Sequence, residues 1–101
     1  MPADAVEAAM AILQSGRLHR YNVASGETAE AALLEQEFAA YTGARYCLSV
    51  TSGGYALATA LRAIGVSAGD KVLTNAFTLA PVPGAIASVG AEPVLVEITD
   101  D

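Results

Sequence analysis

The chain has 101 residues, 53% of them hydrophobic and 16% charged, and a net charge of −6. A disordered tail is excluded, because disorder needs low hydrophobicity with high net charge; the length suits one domain with a core of its own. Lys71 is the only lysine and the arginines, Arg17, Arg20, Arg45 and Arg62, are scattered, so no basic stripe exists to neutralise a nucleic-acid backbone.

Val6, Met10 and Leu13 recur at helical spacing ahead of Gly16, which predicts a helix over 3–15. Residues 16–27 lack periodicity and read as a loop. A second amphipathic helix is expected from Thr28, its N-cap, to Tyr41, with Leu34, Phe38 and Tyr41 on one face and Gly43 as its stop. Residues 46–50 read as a short buried strand and 51–54 as the turn after it. Helical spacing returns over 55–64 through Leu57, Leu61 and Ile64, and Gly65 stops it. Gly69 and Asp70 form a turn, and 71–75 is a second strand. Pro81 and Pro83 open a short helix that ends near Val89 and Gly90, and 93–98 is a third strand.

The order is two N-terminal helices and then β-α-β-α-β. This is an α/β fold, and the alternation implies right-handed crossovers and a parallel sheet. The sequence stops at Asp100 and Asp101, read as solvated loop charges, just after the third strand. Three parallel strands would keep edges or faces uncovered, and alanine-rich helix faces suit packing against further elements, so the ending reads as a cut.

Cys47 is the only cysteine, so no internal disulfide is possible. Its apolar surroundings predict a buried, inert thiol. No stretch reaches the roughly 18 apolar residues of a membrane span. Asp4 and Glu7 stand where a signal peptide would be basic, and a cytoplasmic protein is expected. His19 is the only histidine, which removes support for a histidine metal cluster or a Ser–His–Asp set and makes it a loop residue.

The most informative place is Ser52-Gly53-Gly54. Glycines let a ligand approach the backbone, and a helix start offers unpaired N–H groups and partial positive charge to a phosphate. On local sequence alone, a plain strand-to-helix turn is the better explanation. The dinucleotide spacing G-x-G-x-x-G is absent, and so is a P-loop lysine.

Spacing along the whole chain adds to this. Ser15-Gly16-Arg17-Leu18, Glu35-x-x-Phe38-Ala39, Tyr41-Thr42-Gly43-Ala44 and Val50-Thr51-Ser52-Gly53 occur in order. They are followed by Ala56-Leu57, Ala60-Leu61, Gly65-Val66-x-x-Gly69-Asp70-Lys71-Val72, Phe77-Thr78 and Gly90-Ala91-Glu92-Pro93-Val94. The set resembles the DegT/DnrJ/EryC1/StrS family, sugar aminotransferases that use pyridoxal 5'-phosphate (PLP) and share the aspartate-aminotransferase fold, fold type I. It covers nearly all of this chain and the first part of a family member.

The resemblance implies that residues 1–27 are an N-terminal helix and loop and 28–101 the incomplete start of the parallel-sheet large domain that binds PLP. Ser52, Gly53, Gly54 and Tyr55 would cradle the cofactor phosphate, with Gly54 in place of a usual threonine and Tyr55 in place of a small residue. Leu79 stands where the family stacks an aromatic ring on the pyridine; Phe77 reads as a core aromatic. The Schiff-base lysine and the carboxylate facing the pyridine nitrogen come later in family members. Lys71, at a turn, is therefore no counterpart and points into solvent; Glu97 is structural. No residue here is expected to be catalytic, and the chain alone is expected to be inactive. Arg17, Arg20 and Tyr21 lie in a loop that in the family runs near the active site and subunit interface, where they would meet a substrate or a neighbouring subunit. The implied substrates are a keto-sugar, nucleotide-linked in the family, and an amino-acid donor, in a homodimer. Two alternatives stand beside this: a PLP-dependent sugar dehydratase of the same family, and a non-catalytic α/β anion-binding module if 101 residues is the whole protein.

Overall fold

The computed structural model describes residues 1–99, so Asp100 and Asp101, read above as loop charges, lie outside the described residues. Two compact units divide the chain, Met1–Ser49 and Val50–Asp101.

In the first unit, α1 spans Ala3–Ser15 and ends on Gly16, whose left-handed backbone at φ 68° sends its N–H to the Leu13 carbonyl. Helix α2 spans Glu30–Thr42 and ends on Gly43 in the same way, at φ 70°. The expected N-cap, Thr28, is one residue too early. Ala29 occupies that position and has no side-chain cap. Glu30 at the first helical position supplies the negative charge that the helix dipole favours there.

The covered side of α2 differs from the expected one. Leu34, Phe38 and Tyr41 are exposed, while Ala31, Glu35 and Ala39 are the better-covered positions. Glu35, at 9% exposure, is the only buried charged residue among those described. Its Oε1 accepts the Ser49 backbone N–H at 2.7 Å and the Ser49 hydroxyl at 2.9 Å. Its Oε2 accepts from the Arg20 guanidinium at 2.6 Å. Residues 46–50, expected to be the first strand, join no ladder. A strand needs a partner's N–H and C=O groups, and here the Ser49 N–H goes to the Glu35 carboxylate instead. Cys47 is half-buried rather than enclosed.

The second unit is a β-α-β crossover with a helix before it. Helix α3 spans Gly53–Ala63, β1 Lys71–Asn75, α4 Pro81–Ser88 and β2 Glu92–Val96. The strands pair in parallel, Lys71 opposite Glu92 through Asn75 opposite Val96. Helix α3 starts two residues earlier than its apolar spacing suggests, because Gly53 and Gly54 are already helical. Pro81 stands in the first turn of α4, where a missing N–H costs nothing. The covered core is small: Ala58, Ala85, Ile86 and Ala91. Leu73 and Leu95 project to opposite faces of the sheet, and both are mainly exposed, at 69% and 62%. Such strands, apolar on both sides, match sheets covered on both faces.

The turn between α3 and β1 is closed by the Asp70 carboxylate, which accepts the Ser67 N–H at 2.8 Å and the Ser67 hydroxyl at 3.1 Å. Across from it, the Gly90 carbonyl (φ 83°) accepts the Gly69 N–H at 3.1 Å. A side chain on Gly90 would put its Cβ 3.0 Å from the Ala68 Cβ and 3.2 Å from the Ala68 Cα.

Two predictions follow from these contacts. Gly65 (φ 90°) has open space around a Cβ, so Gly65→Ala is expected to cost only the left-handed penalty of about 1–2 kcal/mol. Gly90→Ala adds the Ala68 contact and should cost distinctly more in urea unfolding; equal losses would show that the contact is irrelevant. The second prediction concerns acid. The Ser49 N–H, then the Arg20 guanidinium and the Ser49 hydroxyl, hold the Glu35 carboxyl below its ordinary range. A depressed folded value stabilises above the ordinary carboxylate pKa and is lost as pH falls through the folded one. The melting-temperature gap between the parent and Glu35→Gln should hold steady near neutrality and close below about pH 4. A gap of constant size down to pH 3 would contradict it.

Candidate functional site

Helix α3 begins on a residue built to start a helix. Ser52 is extended (φ −162°, ψ 161°) and its Oγ accepts the Tyr55 N–H at 3.2 Å, while its carbonyl accepts the Ala56 N–H at 2.9 Å. The Gly53 and Gly54 N–H groups have no partner among the described residues. They are the orphan donors of the first turn. The Ser52 hydroxyl proton is also free to donate, since its oxygen serves as acceptor.

Neither glycine takes a positive φ. Backbone freedom is therefore not what they supply, and open space lies over Gly53. A Cβ on Gly53 would meet nothing within 4 Å, and one on Gly54 would make an ordinary contact, 3.6 Å, with the Pro81 Cβ. That contact places the start of α4 beside the start of α3. The two helices enclose a groove of about 430 Å³ whose mouth is Ser52, Gly54, Tyr55 and Pro81. At its far end the Arg62 guanidinium donates to the Ser88 carbonyl at 3.1 Å. No acidic side chain lines it. Together with the positive end of the α3 dipole, this makes the mouth suited to an anion.

The loop from the carboxyl end of β1 leads into α4 and holds Phe77 and Leu79. In open α/β sheets, ligands bind at this end of the strands. Phe77 does not enter the core as expected; it is 85% exposed, and Leu79 is 77% exposed. A short loop between a strand and a helix has no second layer to bury its aromatic. Leu79 stands two residues before Pro81, and so close to the turn formed by residues 52–55.

The other candidates belong to the first unit. The Arg17 guanidinium donates to Glu27 Oε2 at 2.5 Å, and the same oxygen accepts the Ala24 N–H at 3.2 Å. Arg20 is held by Glu35. Both arginines remain about half exposed and line a hollow of about 330 Å³ with Ile12, Leu18 and Val23. Tyr21 lies open to solvent with its ring stacked on His19, centroids 5.2 Å apart. Each arginine keeps N–H groups to spare, but each already has a carboxylate partner. Lys71 is exposed at the amino end of β1, 4.0 Å from Glu92. It begins the strand, at the opposite end from the 76–80 loop.

Two residues with bonds between distant segments escaped the reading of the sequence. Glu35 was legible only as part of a motif, and Arg62 only as a scattered charge. The available signal for Glu35 was its position between Ala31 and Ala39 on one helical face. Among the described residues, no group of three or more His, Cys, Asp or Glu could hold a metal ion, and no helix is long and apolar enough to cross a membrane.

The model of the DegT/DnrJ/EryC1/StrS aminotransferase family matches residues 2–101. The dTDP-3-amino-3,4,6-trideoxy-alpha-D-glucose transaminase of Micromonospora megalomicea subsp. nigra is 35% identical over 99 residues, 98% of this chain and 25% of the relative. DesV of S. venezuelae, solved in complex with a ketimine intermediate, superposes with a TM-score of 0.75 at 33% identity, covering 97% of this chain and 25% of that one. Spr1654 of Streptococcus pneumoniae in its PLP form gives 0.80 at 28% identity, covering 100% of this chain and 24% of that one. The chain spans no more than about a quarter of the length of the curated relatives it matches. The fold is that of these aminotransferases, and the chain belongs to the DegT/DnrJ/EryC1/StrS aminotransferase family.

Proposed function

We propose that this chain supplies the phosphate-holding turn of a PLP-dependent aminotransferase that transfers an amino group between an amino acid and a keto-sugar, nucleotide-linked as in the names of two of its relatives, in a cytoplasmic homodimer. Residues 28–101 are then the beginning of the PLP-binding large domain and 1–27 its leading helix and loop. The observation that carries the reading is the start of α3, where two unpartnered N–H groups open onto free space over Gly53. The amino-sugar name of the Micromonospora relative supports the substrate class.

The residues present fit the cofactor's phosphate. The Gly53 and Gly54 N–H groups and the Ser52 hydroxyl would donate to its oxygens, and the α3 dipole favours its charge. Gly54 offers no hydroxyl of its own. Leu79 would cover a ring face by apolar contact, without the stacking an aromatic side chain adds. When bound, PLP supplies the electron sink of the reaction. Arg17, Arg20 and Tyr21 have N–H and O–H groups open to solvent that can meet a substrate or a neighbouring subunit. Lys71, at the start of β1 beside Glu92, takes no part, so the chain by itself binds and orients but does not catalyse.

Two measurements test this. Pyridoxamine phosphate cannot form a Schiff base with a lysine, so its binding reports on the phosphate turn. In the polypeptide as its native source makes it, Gly53→Val should weaken that binding more than tenfold by filling the open space, and Ser52→Ala several-fold through loss of the cap and hydroxyl, a cap being worth about 1 kcal/mol. Lys71→Ala should bind as the parent does. Parent-like binding by Gly53→Val would move the phosphate elsewhere. The intact mass and visible spectrum of the native product form the other test. The expected result is a protein about four times heavier, in proportion to the 25% of its relative that this chain covers, with a yellow chromophore abolished by borohydride. A colourless protein of 10.2 kDa that takes up no PLP would leave an anion-binding module instead.

A further inference from the structure

We infer that Arg62 is a positioning residue for the phosphate turn, acting by tying α3 to α4 at the end away from it. This rests on the reading of residues 52–55 given above, and every residue involved belongs to the second unit. The two helices lie side by side and run the same way. Their first turns meet where a Cβ on Gly54 would stand 3.6 Å from the Pro81 Cβ, and their last turns meet where Arg62 Nη2 donates to the Ser88 carbonyl at 3.1 Å. Between these points lie Ala58 and Ala85, both buried. Helices paired in this sense bring like dipole ends together, which is unfavourable unless a charge of opposite sign stands at each end. At the carboxyl ends that charge is Arg62. It is the basic residue of the last turn of α3, and α4 has none in its own last turn. Ser88 is the last helical residue of α4, so its carbonyl is one that the helix itself cannot satisfy. At the amino ends neither first turn carries an acidic side chain, and the bound phosphate is the counter-charge. Without Arg62 the carboxyl ends repel and the helices turn about the alanine contact, which moves the Gly53 and Gly54 N–H groups relative to the start of α4. Restoring their arrangement when the phosphate binds costs affinity.

The test measures how strongly the native full-length polypeptide prefers pyridoxamine phosphate over pyridoxamine, a ratio that isolates the phosphate, well below the melting temperature of every variant. Arg62→Ala should lower the ratio about fivefold, the order expected for one charge at a helix end. Arg62→Lys keeps the cation there and should stay within about twofold of the parent. Gly69→Ala strains a left-handed turn, at φ 89°, with open space around its Cβ, and touches neither helix; it should lower stability and leave the ratio unchanged. A parent-like ratio in Arg62→Ala, with that of Gly53→Val reduced, overturns the inference. So does an equal loss in Arg62→Lys, which would mean that the charge is not what counts, or in Gly69→Ala, which would mean that only stability is being read. If Gly53→Val also keeps the parent ratio, the phosphate turn itself has been misplaced, and the inference falls with that reading rather than through Arg62.

Discussion

Burying a carboxylate costs free energy unless donors replace its water, and in residues 1–49 Glu35 finds three of them on two partners. Ser49 gives two and Arg20 the third. Around this carboxylate the unit has little else to order it, since none of its apolar side chains is fully covered. The ion pair alone would be weak evidence for stability, because desolvation offsets the attraction. What distinguishes Glu35 is that its bonds join segments far apart in sequence, the loop at Arg20 and the stretch at Ser49, to one helix. Alanines at 31 and 39, partly covered on the same face, add no bulk beside it.

The second unit is organised differently. Its helices meet through small residues, Gly54 and Ala58 on α3 against Pro81, Gly84 and Ala85 on α4. Small side chains let helix backbones approach, and this approach brings the two N-termini together at the groove mouth. The site is thus a consequence of packing as much as of the turn. A bulky residue at Ala58 would separate the helices and open the mouth without altering any residue in it.

Element types were largely legible in the sequence because they depend on local rules. Glycines at 16, 43 and 65 mark helix ends, all with positive φ, and alternation of strand and helix after residue 70 does imply a parallel crossover. What failed were statements that depend on partners. Residues 46–50 have strand composition, yet composition cannot provide a ladder. Leu34, Phe38 and Tyr41 form an apolar face by spacing, but the covered face is the alanine one with a glutamate in it. Thr28 has the chemistry of a cap and the wrong position by one residue. The candidate phosphate turn was legible as residue types; its open N–H groups and the neighbouring Pro81 required coordinates.

The departures at 54, 55 and 79 have a common physical meaning. Gly54 trades a hydroxyl for backbone, and the contact with Pro81 shows that a Cβ there would be tolerated, at 3.6 Å. Space therefore does not demand glycine at this position. Tyr55 has its N–H committed to Ser52, which leaves the two glycines as the backbone donors of the first turn. Leu79 gives apolar area in place of a ring quadrupole. On the proposed reading, the changes at 54 and 55 would shift phosphate recognition from side-chain groups toward the backbone and the helix dipole. Backbone donors are only as good as their placement, since they have no rotamers with which to adjust.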